Sequence, residues 1–120
     1  MDARLREGIN LFNQRRFFEA HEIWEVLYQS AEINEKPFLE GLVQLSAACR
    51  LIEDFGEING PVKLIYQALI RLENYQPTYL DVKVADLAAA MEAWAKELEA
   101  SGARGQKPVP TIAVRRFGFF

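Results

Sequence analysis

The sequence predicts an all-α protein: a single small bundle of about five helices around a buried third helix, followed by an extended C-terminal tail. Three observations predict it. Apolar residues recur three and four apart over five separate stretches, the spacing of one face of a helix. The strong punctuators Pro37, Gly56, Pro61, Pro77 and Gly102 fall between those stretches. Polar and apolar residues nowhere alternate as a strand would, apart from a weak hint at 111–114.

The first helix is expected over residues 2–14, with Leu5, Ile9 and Phe12 on one face. Arg15 and Arg16 form a charged joint, and Asn13 is placed to cap or brace the start of the second helix. That second helix covers residues 17–31. Pro37 suits the first turn of a third helix, residues 37–55. Phe38, Leu42, Leu45, Cys49 and Ile52 hold one side of it, while Leu39, Val43, Ala47 and Leu51 spread over the others. A helix apolar on most faces is a central one. Gly56 ends it, and Asn59-Gly60 reads as a turn needing positive φ. A fourth helix follows over residues 61–74, through Val62, Ile65, Tyr66, Leu69 and Leu72. After the breaker Gln76-Pro77-Thr78, a fifth runs over residues 80–101, with the stripe Val84, Leu87, Met91, Trp94, Ala95 and Leu98. Residues 1–101 thus form the bundle domain, and residues 102–120 a basic, aromatic tail expected to dock on it.

The chain has 120 residues, half of them hydrophobic, enough for one core without staples. The lone Cys49 cannot close an internal disulfide and reads as an inert packing residue. The N-terminal stretch is charged and helical in pattern, and no apolar run approaches the roughly 20 residues of a membrane span, so a cytoplasmic protein is expected. A net charge of −3 argues against nucleic acid as a partner. After Gly102 come four basic residues (Arg104, Lys107, Arg115, Arg116) and no acidic ones, so a tail of +4 follows a body of −7. Opposite signs favour self-docking. The terminal Phe117, Phe119 and Phe120 need cover, either from this bundle or from a partner or second subunit, and a homodimer is one such outcome.

The densest chemistry lies between Phe17 and Glu25. The stretch holds the only histidine, three acidic residues and three bulky aromatics. At about 100° per residue from Glu19, the span from Ile23 through Trp24 and Phe17 to Tyr28 covers about 40° to 180°. His21 falls near about 200°, Glu25 near about 240° and Phe18 near about 260°. His21 and Glu25, four apart, can touch and are flanked by aromatics.

The same residues resemble a known family. Leu11-Phe12-Asn13, then Phe17-Phe18-Glu19-Ala20-His21-Glu22, then Trp24-Glu25 are similar to the signature of a bacterial and archaeal family known as domain of unknown function three hundred and nine. Phe38-Leu39-Glu40-Gly41-Leu42-Val43-Gln44-Leu45 with Ala47-Ala48, and Gly56, Asn59 and Gly60, continue the match across residues 5–75. The resemblance implies an all-helical fold. Members are sometimes labelled predicted metal-dependent hydrolases, which implies His21 acting with nearby carboxylates. The family often carries a histidine about where Arg50 stands here, so an obvious second imidazole ligand is missing.

The residues themselves support three readings. As a binding pocket, Phe17, Phe18, Trp24 and Tyr28 line an apolar cleft around a polar centre of His21 and Glu25, supported by Glu19, Glu22 and Gln44, for an unknown small molecule or protein partner. As a metal site, His21 and Glu25 are ligands at i and i+4, with Glu19, Glu22, Glu40 and Cys49 as further candidates; one imidazole among carboxylates suits manganese, iron or magnesium better than zinc. As a scaffold, His21 is buried with Glu25 and Gln44 satisfying its nitrogens. General acid–base chemistry by the pair lacks an accompanying nucleophile. The binding module is the preferred reading, with the metal-dependent hydrolase and the scaffold as alternatives.

Overall fold

The computed structural model describes residues 1–102 and 108–115. It contains α1 (Ala3–Asn13), α2 (Phe17–Ser30), α3 (Lys36–Phe55), α4 (Asn59–Leu72) and α5 (Val84–Ser101), with a 3-10 turn over Glu73–Tyr75. Among the described residues there is no strand, only isolated bridges. The fold is all-α, as the periodicity predicts.

Local chemistry sets the ends. The Asp2 carboxylate accepts the Arg4 backbone N–H at 2.7 Å and starts α1. That same bond holds the Asp2 carboxyl below its ordinary value. Pro37 sits in the first turn of α3. Gly56 and Gly102 end α3 and α5 in the left-handed region, with φ of 70° and 63°.

Successive helices pack on one another, and α3 lies between α2 and α4. Phe38, Leu39, Leu42, Leu45, Ala48, Cys49 and Ile52 of α3 are fully or almost fully buried. Cys49 is sealed among them, and burial pushes its thiol well above the ordinary range. Val43, Ala47 and Leu51 keep partial exposure, so α3 is less uniformly buried than its composition suggests. The α1–α2 contact turns on Gly8, against which the buried Trp24 indole lies. Phe12 and Phe17 meet edge to face across the same joint, 5.0 Å between centroids.

Three expectations need correction. Asn59 and Gly60 are not a turn: they form the first turn of α4, and Gly60 lacks a positive φ. α5 begins at Val84 rather than residue 80, because Leu80 and Asp81 take φ of 47° and 69° and form a tight turn bridged from Tyr79 to Val82. The strand hint at 111–114 becomes a short pairing instead: Val114 bridges Val82, and Lys83 N–H donates to Ala113 C=O at 2.9 Å.

That pairing lays residues 108–115 against the bundle, with Val109 and Ile112 buried. Asn13 also acts differently from expectation. Its side-chain amide donates to Ile112 C=O at 2.9 Å, and its carbonyl accepts Ile112 N–H at 2.8 Å. It clamps the C-terminal segment to the end of α1; the start of α2 has no side-chain cap. Arg104, Lys107 and the terminal Arg116, Phe117, Phe119 and Phe120 lie outside the described residues.

Candidate functional site

The sequence-predicted residues fall mostly along the groove between α2 and α3. Phe17, Ala20, Trp24 and Leu27 form the buried face of α2. The adjoining strip carries Phe18, His21, Glu25 and Tyr28 past the partly exposed Val43, Ala47 and Leu51 of α3. These apolar α3 positions, four apart, floor the groove.

The groove has two hollows. One, of about 180 Å³, is lined by Phe17, Phe18, His21, Ser46, Ala47, Arg50, Leu51 and Phe55. The other, of about 330 Å³, is lined by Glu25, Tyr28, Gln29, Glu40, Val43 and Gln44. His21 lines the first and Glu25 the second, and His21 Nε2 lies 3.5 Å from Glu25 Oε1. The pair forms as the i,i+4 spacing predicts. Its side chains are 30 % and 57 % exposed, so it is a half-open surface pair rather than a buried network.

The supporting residues divide. Gln44 does not reach His21; its carbonyl accepts from Arg71 Nε of α4 at 3.0 Å, and Arg71 also pairs with Glu40 at 3.1 Å. Glu19 pairs with Arg16 at the exposed start of α2, and Glu22 faces solvent. Trp24 lines neither hollow: it is fully buried, with its indole N–H directed at Leu5 C=O at 3.4 Å. It shares the core face with Ala20 and Leu27, and that face meets α1. Tyr28 carries Lys36 Nζ over its ring at 4.3 Å.

Sequence reasoning missed Arg50 and Phe55 as groove residues. The Arg50 guanidinium lies over the Phe18 ring at 4.4 Å and near the Phe55 ring at 5.5 Å. Phe18 and Phe55 are 46 % and 61 % exposed, so two large rings flank the hollow in contact with solvent. The available signal was Phe55 at the last helical position before Gly56, with Arg50 one face away. Ser46 is buried and donates to Val43 C=O at 2.8 Å, so it is engaged within its own helix.

The donor set does not fit a catalytic metal. Among the described residues no three His, Cys, Asp or Glu side chains gather as a cation site. His21 and Glu25 supply two donors where a catalytic zinc takes three. Glu19 and Glu40 are paired with arginines, and Cys49 is sealed in the core.

A larger hollow of about 490 Å³ lies between α4 and α5, floored by Ala85, Ala88 and Ala89 and edged by Glu73 and Glu92. Among the described residues it brings no cation or imidazole to the apolar surface. The smaller α2–α3 hollow does both, and polar groups converging on an apolar cleft define a ligand site better than volume.

Fold and groove together define a small all-α bundle with a mixed aromatic and ionisable cleft beside its central helix. The chain belongs to the family described as domain of unknown function, DUF309, whose model matches residues 5–64. The match takes in most of α1, all of α2 and α3, and the start of α4, and therefore the whole α2–α3 groove. No protein of curated function matches the chain. Among the described residues no helix is long and apolar enough to cross a membrane.

Proposed function

We propose that the protein is a binding module whose α2–α3 groove receives a small molecule or a short segment of a partner. The supporting observation is the hollow beside His21, where solvent-exposed Phe18 and Phe55 flank Arg50 over an apolar floor. Rings of that size left in water offer apolar area to a ligand, and the imidazole and guanidinium give it orientation. His21 and Glu25 form the polar centre between the two hollows. Glu19 and Glu22 stand outside it, and Gln44 edges the lower hollow. No metal-assisted step is assigned to His21, because among the described residues its neighbours do not complete a donor set.

The reading is tested by fragment titration monitored through backbone amide NMR shifts. Responses are expected to cluster on α2 from Phe18 to Tyr28 and on α3 from Val43 to Phe55. Fragments that bind only between α4 and α5 would refute it.

A further inference from the structure

We infer that the ligand at the His21 end of the groove is an organic monocarboxylate with a compact apolar body. The inference rests on the groove being a ligand site and specifies the chemistry it selects.

Arg50 is held in an uncommon way. Two rings, Phe18 and Phe55, contact its guanidinium, and such stacking orients the planar fork while leaving its edge open. Its nearest carboxylate oxygen, Asp54 Oδ2, lies 3.9 Å from Nε, beyond hydrogen-bond distance. Among the described residues neither terminal nitrogen has a hydrogen-bond acceptor. A pre-oriented guanidinium with an open edge is the protein's standard receptor for a planar carboxylate, which accepts two parallel N–H bonds.

The walls agree in charge and shape. Among the described residues the hollow's lining contains Arg50 and His21 and no carboxylate. Asp54 and Glu25 stand outside, beside the two basic side chains. Phe17, Ala47 and Leu51 supply apolar surface, and about 180 Å³ admits a compact group rather than a long chain. An anion alone would leave that surface wet, and a neutral apolar molecule would leave the guanidinium edge unanswered. A carboxylate joined directly to a small ring or branched alkyl group satisfies both. Such an acid could be free or the C-terminal residue of a peptide.

The probe is benzoate, with benzamide as its neutral isostere, titrated into the full chain at neutral pH and followed by amide NMR shifts. For so small a ligand a Kd on the order of 0.1–1 mM is expected. Benzoate should bind at least ten times more tightly than benzamide, with shifts at His21, Ala47 and Arg50. Arg50→Gln should abolish that preference, and Arg50→Lys, which keeps the charge but loses the fork, should retain only part of it. Melting curves of both variants check folding; if Arg50→Gln fails to fold, the wild-type benzoate-to-benzamide ratio and Arg50→Lys decide. Equal binding of the two probes would overturn the carboxylate assignment and leave the groove as a ligand site. Binding of neither in the groove would overturn both. An acetylated peptide ending in phenylalanine, as free acid and as amide, identifies the source. Tighter binding of the peptide acid than of benzoate assigns a protein C-terminus, and weaker binding a free acid; either supports the class.

Discussion

Gly8→Ala should destabilise the protein strongly, although alanine is the better helix former. A methyl at position 8 would lie 2.0 Å from Trp24 Nε1, 2.4 Å from Cε2 and 2.6 Å from Cδ1. Carbon contacts rest at about 3.5–4.0 Å, so the indole or α1 must retreat by more than about 1 Å. Trp24 is fully buried, and a retreat separates its N–H from Leu5 C=O. Overpacking of this kind costs about 1–3 kcal/mol. A buried donor left without its partner costs about 1–3 kcal/mol more. The helix preference for alanine returns about 1 kcal/mol. The net loss is about 3 kcal/mol, or a fall in Tm of about 10 °C for a domain of this size. Thermal unfolding followed by circular dichroism measures it. Gly60→Ala is the matched control: a methyl there meets nothing within 4 Å and the backbone is helical, so it should be neutral or stabilising by about 0.5 kcal/mol. A Gly8→Ala protein melting at or above the wild-type temperature would refute the close packing of α1 on α2.

Three further outcomes follow from side-chain geometry. Asn13→Ala removes both hydrogen bonds to Ile112 and should free residues 108–115, with faster amide exchange and proteolysis there and a stability loss of about 1–3 kcal/mol; unchanged exchange at Ile112 would contradict the clamp. The Tyr66 hydroxyl donates to Glu99 at 2.6 Å, and that bond raises its pKa from 10.0 to about 12. A raised folded-state pKa means the stabilisation is whole below about pH 10 and lost as pH rises through about 12. Urea titrations should therefore show the gap between wild type and Tyr66→Phe closing over that window, and a constant gap would exclude the bond. Cys49 should resist thiol reagents in the native protein and react fully in denaturant, since burial both blocks access and disfavours its thiolate; rapid native reaction would contradict the sealed core.

His21→Ala separates surface pairing from a structural network. A half-exposed pair is worth less than about 1 kcal/mol, so the melting temperature should change by only a few degrees. A fall matching a loss of 3 kcal/mol or more would show His21 to be a structural keystone.

Much of the architecture was legible in the order of residues. Leu5, Ile9 and Phe12 on α1, and Val84, Leu87, Met91, Trp94, Ala95 and Leu98 on α5, are buried as their spacing predicts. Periodicity at 3.6 residues is a property of the chain itself, and burying the apolar stripe is the dominant force on it. The His21–Glu25 contact was legible for the same reason, since two residues four apart on one helix meet wherever the helix goes. Gly56 and Gly102 announced the ends of α3 and α5, because few other residues accept that backbone conformation.

Contacts between helices were decided by the tertiary structure. Helical phase sets Trp24 on the apolar sweep of α2 and Phe18 off it, but it does not say which ring is sealed; α1 brings Gly8 against Trp24 and leaves Phe18 open to solvent. Gln44 could have turned to His21 or to Arg71; the position of α4 settled it. Asn13 could have capped α2, yet it holds Ile112, 99 residues away. Arg50 became a site residue only when α2 brought Phe18 over its guanidinium. The sequence alone determined which faces are apolar and where helices stop, because those depend on neighbours a few residues away. Which polar side chains meet, and which apolar ones remain uncovered, depends on distances set across helices, and only the assembled bundle fixes them.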